Sequence, residues 1–384
     1  MNKILVLILA IGFSGSLFGA DNRSAPNIFS SGSTISSSQM NENFNFLASK
    51  ARVKTVNCDS GETIADAINE GFNYLKISGT CDGGIMVYNF DPSPFGMSIS
   101  DLPNKPVSHL IIKGVDANRG AKIVKGSMNS NVMKNSYLQL IDLTFNDKIY
   151  VNNESSLELF NVKYEVLIDG TSLELEASRN SHLTIENSSI HGRVGVGNNS
   201  SLDFKNSSLN CDPNNWTCLS LSNNSSGELD NISFYNGENL NETINVSMKS
   251  SLYIENLDLS GTIRVSHGSA LDADNINIDC TTSNTQMGCM WVDYHSFLSL
   301  GDSNITSLSS PSLSIQWNSM GYLQNANISR SDGNTPHVEL GGLSSVQING
   351  DAHSINVSCF DLSLARDQSD SNPSSLNPSC VHNN

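Results

Sequence analysis

Positively charged side chains are scarce in this 384-residue chain. It has 21 Lys and Arg against 38 Asp and Glu, which gives a formal net charge of −17. Nucleic acids and anionic membrane surfaces bind basic patches, so the charge balance argues against both as partners. An anionic polysaccharide would also be repelled unless calcium bridged it. No other feature of the sequence indicates calcium, and we therefore predict no cofactor.

Long apolar runs are absent beyond the N-terminus. Lys3 is followed by an apolar run over residues 4–13 and then by small residues up to Ala20, which is typical of a secretion signal over residues 1–20. This run is too short to span a bilayer, and no second run of spanning length follows. We therefore predict no membrane span and a secreted, periplasmic or cell-surface location.

Paired C-x-x-C motifs are also missing, although the chain has eight cysteines. This absence argues against a metal site. The cysteines instead form near neighbours in the sequence, which suggests disulfides in an oxidising compartment without proving their connectivity. The suggested pairs are Cys58 with Cys81, Cys211 with Cys218, Cys280 with Cys289, and Cys359 with Cys380.

The dominant feature that is present is a repeat. One pattern of alternating apolar residues recurs ten times, and we number the repeats 1–10 by an apolar or glycine anchor. The anchors are Leu138, Leu157, Leu183, Leu202, Gly227, Leu252, Leu271, Leu298, Gly321 and Val346. Such regularity predicts that each unit buries its face against the next copy.

Two polar columns accompany the anchors. The residue two before every anchor is Ser, from Ser136 in repeat 1 to Ser344 in repeat 10. The residue four after each anchor is Asn or Asp in all repeats except the last, which has Gly350. We interpret both columns as ladders at bends, where hydroxyls and amides bond backbone groups that have lost their sheet partners.

Period-two alternation excludes helices and predicts three short strands per repeat around one aliphatic interior. Units of 19 to 27 residues with three strands describe a parallel β-helix. The chain resembles the right-handed β-helix superfamily, of which pectate lyases are the best-known members, over about residues 55–360. The resemblance implies an all-β, right-handed, single-stranded solenoid with a short N-terminal capping helix, for which Ile64, Ala67 and Ile68 supply the apolar face.

The predicted organisation has five parts. Residues 1–20 are the signal, 21–54 a polar leader with a short helical pattern, 55–126 the cap and first coils, 127–358 the β-helix, and 359–384 a C-terminal tail. The helical pattern of the leader consists of Met40, Phe44 and Leu47.

All variation in repeat length falls at one corner. There, segments of 3 to 11 residues connect the position seven after one anchor to the position eight before the next anchor. Loops on a rigid scaffold are a common place for binding residues. The polar and aromatic residues at this corner are Glu165, Asp169, Glu174, Asp212, Trp216, Glu238, Glu242, Asp279, Arg330, Asp332 and His337. Carboxylates in pairs could bind calcium or act as acid and base, but carboxylates scattered over the surface of an acidic protein are the explanation we favour for most of these residues. The pectate-lyase resemblance implies acidic calcium ligands with a basic residue, or several Asp with a His, and the sequence shows neither as a motif.

One stripe is distinctive. Met248, His267, Tyr294 and Trp317 stand four residues before consecutive anchors, so they are neighbours on successive coils. We favour the interpretation that this stripe thickens the hydrophobic core in the C-terminal half, and the alternative is a sugar-binding platform of aromatic rings at one level.

We favour a non-catalytic binding, adhesion or structural protein whose partner is a polysaccharide or cell-surface glycan. The alternative is a carbohydrate-active enzyme, a polysaccharide lyase or glycoside hydrolase, acting at the long-loop corner. A third hypothesis is a spike-like oligomer with residues 28–50 as a helical stalk.

Overall fold

The computed structural model describes residues 52–89, 104–115, 120–126, 129–165, 174–211, 216–235, 242–281, 288–308, 311–332, 334, 337–349, 356–360 and 363–367. The predicted signal peptide, the helical pattern of the leader and the stalk over 28–50 lie outside these residues. No helix in the described ranges is long and apolar enough to cross a membrane.

The strands form three rows in which every strand pairs in parallel with the same strand of the next coil. The first row contains the anchors and comprises Val53–Asn57, Tyr74–Ser78, His109–Gly114, Tyr137–Ile141, Ser156–Phe160, His182–Glu186, Ser201–Asn210, Ser226–Tyr235, Ser251–Ser260, Ala270–Cys280, Phe297–Gly301, Met320–Gln324, Ser345–Asn349 and Leu364–Asp367.

The second row follows each bend and belongs to the same 21-stranded sheet. Its separate strands are Thr80–Asp82, Lys122–Val124, Thr144–Asn146, Lys163–Tyr164, Ser189–His191, Asn304–Ser307 and Asn327–Arg330. In repeats 4 to 7 the first and second rows merge into single strands of 10 or 11 residues.

The third row forms a separate 12-stranded sheet. Its strands are Met86–Tyr88, Ser130–Met133, Ile149–Asn152, Glu174–Ser178, Arg193–Val196, Thr217–Leu221, Glu242–Val246, Ile263–Val265, Met290–Val292, Leu313–Ile315, His337–Leu340 and Asn356–Cys359. Three parallel rows with in-register anchors confirm the predicted parallel β-helix.

A short helix covers the N-terminal end, as predicted. A 3-10 turn over Cys58–Ser60 precedes the helix Ile64–Asn69, which buries Ile64, Ala67 and Ile68. Thr63 caps the helix, because its hydroxyl accepts a hydrogen bond from the Asp66 amide at 3.0 Å. The helix thereby shields the apolar end of the first coil from water.

The aliphatic columns fill the interior. Anchors such as Leu138, Leu183 and Leu298 pair directly with the anchors of neighbouring coils, and these three are fully buried. Gly227 and Gly321 occupy anchor positions where a side chain would collide with neighbours. A Cβ on Gly227 would lie 2.7 Å from Leu221 Cδ2, so the larger side chains around it take up the space.

Backbone conformation explains the Asn column. Every described residue four after an anchor in repeats 1 to 9 has a positive φ, between 40° and 56°. Asn and Asp tolerate this left-handed conformation better than other residues with side chains. The amides also stack: Asn161 Nδ2 donates to Asp142 Oδ1 at 2.7 Å, and Asn275 Nδ2 donates to Asn256 Oδ1 at 2.6 Å. The predicted amide ladder is confirmed.

The Ser column forms a buried ladder of another kind. The amides of eight of these serines donate to the hydroxyl of the Ser one coil further on, at distances such as 3.1 Å from Ser181 N to Ser200 Oγ. The hydroxyl in turn donates to a carbonyl of its own turn, as Ser181 Oγ does to Ser178 O at 2.6 Å. These hydroxyls therefore replace the sheet partners that the backbone loses at the corner.

The solenoid extends beyond the predicted boundaries at both ends. The first row starts at Val53, inside the predicted leader, and continues to Leu364–Asp367, beyond residue 358. Val346 pairs with Ala365, and buried Ser363 donates its hydroxyl to Phe360 O at 2.8 Å. Residues 363–367 thus add an eleventh repeat after the ten numbered by anchors, and alanine fills its inward anchor position.

Among the described residues, three disulfides join near neighbours in the sequence. They are Cys58–Cys81, which fastens the cap to the first coil, Cys211–Cys218 and Cys280–Cys289. The last two bridge the two ends of a long-loop segment. Cys359 is also disulfide-bonded, and its predicted partner Cys380 lies outside the described residues.

Candidate functional site

The predicted aromatic stripe lies on the turn between the third row and the first row. We call Met248, His267, Tyr294 and Trp317 the aromatic column. All four have φ between 52° and 57°, the first of two successive left-handed residues in each turn. This backbone conformation directs the chain around the corner and keeps the column outside the core.

The column is exposed. The exposed fraction is 52% for Met248, 42% for Tyr294 and 53% for Trp317. The interpretation as a thicker hydrophobic core is therefore wrong, because the inward positions of these repeats are already filled by aliphatic side chains such as Val292 and Ile315.

The rings of the column are stacked on one another. The centroids of His267 and Tyr294 are 4.8 Å apart, and those of Tyr294 and Trp317 are 6.0 Å apart with an interplanar angle of 7°. A platform of aromatic rings lying side by side would present the ring faces to solvent, and the observed stack does not. The rings cover each other's faces and present their edges to solvent, because each ring stands on its own coil.

The column ends at a glycine. Gly342 occupies the equivalent position in repeat 10, with φ +62°, and a Cβ placed on it would lie 3.6 Å from Trp317 Cε3. The Trp317 ring face opposite Tyr294 therefore adjoins a position without a side chain. Apolar side chains flank this turn on the first row, where Phe297 is 40% and Met320 is 56% exposed.

A second cluster lies beside the column on the outer face of the third row. Glu242, Arg264, Trp291 and Asp293, which we call the arginine cluster, come from repeats 6, 7 and 8. Arg264 Nη1 donates to Glu242 Oε1 at 2.7 Å, and Arg264 Nη2 donates to Asp293 Oδ2 at 3.1 Å. The Arg264 guanidinium also stacks 4.8 Å from the centre of the Trp291 ring. One cation thus holds two carboxylates together.

The two carboxylates of the cluster are buried, and the cluster is incompletely paired. The Asp293 side chain is 1% exposed. Among the described residues, no hydrogen-bond partner reaches Asp293 Oδ1, Arg264 Nε or Trp291 Nε1. Burial raises the pKa of Asp293, and the nearby Arg264 guanidinium offsets part of this rise. A carboxyl group with a raised pKa keeps its proton to higher pH, which is one property of a general acid.

Sequence reasoning missed Asp293 and Trp291 as members of a site. Their partner Arg264 is 29 residues from Asp293 and 27 residues from Trp291, and only the register of the coils brings them together. A signal was nevertheless present. Asp293 stands five residues before its anchor, where repeats 2 to 7 carry small or amide side chains. A carboxylate at that position is an exception within the column.

The residues predicted at the long-loop corner do not converge in the part of the chain that the structure describes. Arg193 Nη1 contacts Glu174 Oε1 at 3.2 Å, and Arg330 forms an exposed local pair with Asp332, which lowers the pKa of Asp332 to about 2. Trp216 is 68% exposed, and Glu242 is the corner residue that enters the arginine cluster. Asp169, Asp212, Glu238 and the side chain of His337 lie outside the described residues. Within the described ranges, no group of three or more potential metal ligands comes together.

Comparisons with known proteins match the chain only at the level of structure. No protein-family profile and no curated protein sequence matches it. Among solved structures, the chain is similar to the A-module of mannuronan C-5 epimerase AlgE6 from Azotobacter vinelandii, with 12% identity and a TM-score of 0.46 over 82% of this chain and 93% of that chain. It is also similar to the A-module of mannuronan C-5 epimerase AlgE4 from the same organism, with 13% identity and a TM-score of 0.45 over 84% of this chain and 94% of that chain.

Proposed function

We propose that this protein binds a glycan along the turn that carries the aromatic column. The observation that carries the proposal is the exposed stack of His267, Tyr294 and Trp317 on three successive coils. Exposed aromatic side chains at one place contribute little to folding, since Tyr294 and Trp317 remain 42% and 53% exposed, and such patches mark binding sites.

The surroundings of the column favour a sugar over a purely apolar partner. Gln316, next to Trp317, and the polar outer face of the third row provide hydrogen-bonding groups beside the rings. Sugars combine apolar C–H faces with hydroxyl groups, so a site for them needs both kinds of contact. The net charge of −17 favours a neutral glycan over a polyanionic one.

The test is a glycan array followed by titrations with the glycans that bind. It compares the wild type with Trp317→Asn, which keeps a residue that the left-handed turn accepts, since repeats 2, 4 and 5 carry Asn there. Trp216→Ala is the matched control, because Trp216 is even more exposed but lies at the long-loop corner. We expect Trp317→Asn to weaken binding at least about tenfold, which corresponds to about 1.4 kcal/mol, and Trp216→Ala to leave it unchanged. Equal loss in both variants, or no binding by the wild type, would refute the proposal.

A second candidate function is catalysis on such a glycan at the arginine cluster. The specific observation in its favour is the buried Asp293, whose raised pKa and unpaired Oδ1 adjoin a second carboxylate on the same arginine. Two carboxyl groups in different environments are the usual means of glycoside hydrolysis. Arg264 already pairs with both carboxylates, so it is a positioning residue in this scheme rather than a base.

Neutral polysaccharides and uronic-acid polymers, including mannuronan, are the substrates for testing this second candidate, each with and without calcium. Hydrolysis would release reducing ends, whereas a lyase would release unsaturated sugars. We expect Asp293→Asn to abolish any such release and Trp216→Ala to preserve it. If no product forms with the wild type, the cluster is a structural ion network and only the binding function stands.

A further inference from the structure

The ring face of Trp317 that is turned away from Tyr294 adjoins a space that one more ring of the aromatic column would occupy. We call this space, at the level of Gly342, the gap. Neighbouring coils of a β-helix lie about 4.8 Å apart. A flat group seated at the level of Gly342 would therefore lie about 4.8 Å from the Trp317 ring, within the range at which rings stack. The column itself uses this spacing, since His267 and Tyr294 are 4.8 Å apart.

The residues around this position provide the other contacts that a sugar ring needs. Gly341 precedes Gly342 and also lacks a side chain, and a Cβ on it would lie 3.8 Å from Gln316 Cγ. The Gln316 side chain therefore lies beside Trp317 beneath the same gap. Its Nε2 donates to Ser314 Oγ at 3.0 Å, which leaves the second N–H and the amide carbonyl for sugar hydroxyls.

Exposed apolar side chains flank the gap on both sides. Leu343 follows Gly342 and is 60% exposed. Phe360 lies one coil beyond Gly341, because its amide donates to Leu340 O at 2.8 Å, and it is 53% exposed. We therefore expect the gap to hold one ring rather than several.

We infer that Trp317, Gln316, Gly341 and Gly342 form a subsite for one neutral pyranose ring, which enters edge first and stacks on Trp317. The inference rests on the proposed glycan-binding function and makes it specific. The ring becomes the next rung of the column, its C–H face lies on the indole, and the Gln316 amide bonds its hydroxyls.

The gap can be filled without disturbing the turn. Gly342 is unsuitable for this purpose, because a Cβ there would lie 3.0 Å from Trp317 N and force the backbone to move. Gly341 has no left-handed φ, and a Cβ on it makes only ordinary contacts. Gly341→Gln therefore fills the gap with the side chain that repeat 9 carries one coil below. Gly197→Gln is the matched control, since Gly197 stands at the same position of repeat 4 and its Cβ would lie 3.4 Å from Ser222 Oγ.

The probes are methyl pyranosides of glucose, mannose and galactose, titrated to high millimolar concentration while tryptophan emission is recorded. We expect at least one to give a saturable change in the wild type and in Gly197→Gln. Gly341→Gln is expected to weaken that binding about tenfold or more. No saturable change in the wild type, or equal binding by Gly341→Gln, would overturn the subsite.

A length series separates this inference from the broader proposal. Neutral manno- and cello-oligosaccharides from two to six residues are titrated against the wild type. A subsite for one ring predicts that affinity per molecule stays within about threefold across the series, whereas an extended groove predicts a steady rise. If affinity rises and Trp317→Asn still abolishes binding, the turn binds glycans through more than one ring and the one-ring subsite is wrong. If no oligosaccharide or polysaccharide binds at all, the proposed function fails together with the subsite.

Discussion

Removal of one hydroxyl from the buried Ser ladder tests the physical account of the corners. Ser296 is 2% exposed, and its Oγ accepts a hydrogen bond from Ser269 N at 3.3 Å while donating to Asp293 O at 2.6 Å. Ser296→Ala removes both bonds and leaves the backbone path unchanged. The amide of Ser269 and the carbonyl of Asp293 then lose these partners inside the protein.

The expected cost follows from the desolvation of these two groups. A buried backbone group without a partner costs about 1–3 kcal/mol, so Ser296→Ala should lower the free energy of unfolding by about 2–4 kcal/mol. Water cannot compensate, because removal of one oxygen leaves a space too small for a water molecule. If the same hydroxyl lay in solvent, its removal would change stability by less than about 0.5 kcal/mol.

Two measurements check this value. Urea unfolding gives the shift in midpoint, compared with Ser251→Ala, whose side chain lies at an exposed first-row position. Because repeat arrays need not unfold in one step, amide exchange at Ser269 provides a local measurement. A local loss of 2 kcal/mol would speed that exchange about 30-fold. A midpoint and an exchange rate that match those of Ser251→Ala would show that the ladder does not stabilise the corners.

Three further predictions follow from single positions. Asn275 donates to Asn256 in the amide ladder and has a left-handed φ of 51°. Both Asn275→Ala and Asn275→Gly lose the hydrogen bond, so Asn275→Ala should be less stable by about 1–2 kcal/mol because of the left-handed conformation alone. Equal urea midpoints of the two variants would attribute the column to its hydrogen bonds alone. Gly227→Ala should cost about 1–3 kcal/mol, because its Cβ would lie 2.7 Å from Leu221 Cδ2, and an unchanged thermal midpoint would contradict the packing. Burial raises the pKa of Asp293 from its ordinary value of 3.8, so the folded state binds this proton more tightly than the unfolded state does. The contribution of this group to stability is therefore present below pH 3.8 and is lost as pH rises through the folded pKa. The difference in urea midpoint between the wild type and Asp293→Asn should therefore fall across this window, and a difference that is constant or rises with pH would contradict the shift.

The fold could be predicted from the sequence because each coil repeats the same physical requirement. An apolar residue at every second position, a serine before the anchor and an asparagine after it recur in register, and coils that bury the same face must stack. Asn206 shows what the pattern leaves open. Its left-handed φ of 48° bends the chain, yet the strand Ser201–Asn210 continues through it. Local sequence predicts the bend, whereas the pairing of the two neighbouring coils decides that the strand is not interrupted.

The candidate site was predictable only in part. The aromatic column follows from counting positions before each anchor, because that count places Tyr294 beside Trp317. The stacking of the rings does not follow, since it depends on side-chain angles at a left-handed turn. Arg264 and Asp293 lie on consecutive coils that are separated by a loop of variable length. The length of this loop does not predict which outward side chains of the two coils come into contact.

The two disulfides at the long-loop corner have a practical consequence for handling the protein. Each of these disulfides joins the two ends of its own loop segment. The Cα atoms of Cys211 and Cys218 are 5.3 Å apart, and those of Cys280 and Cys289 are 5.6 Å apart. A protease that cuts between either pair would cleave the polypeptide without separating the fragments. Such nicked material would run as an intact chain on a denaturing gel until a reducing agent released two pieces, so purity has to be assessed under both conditions.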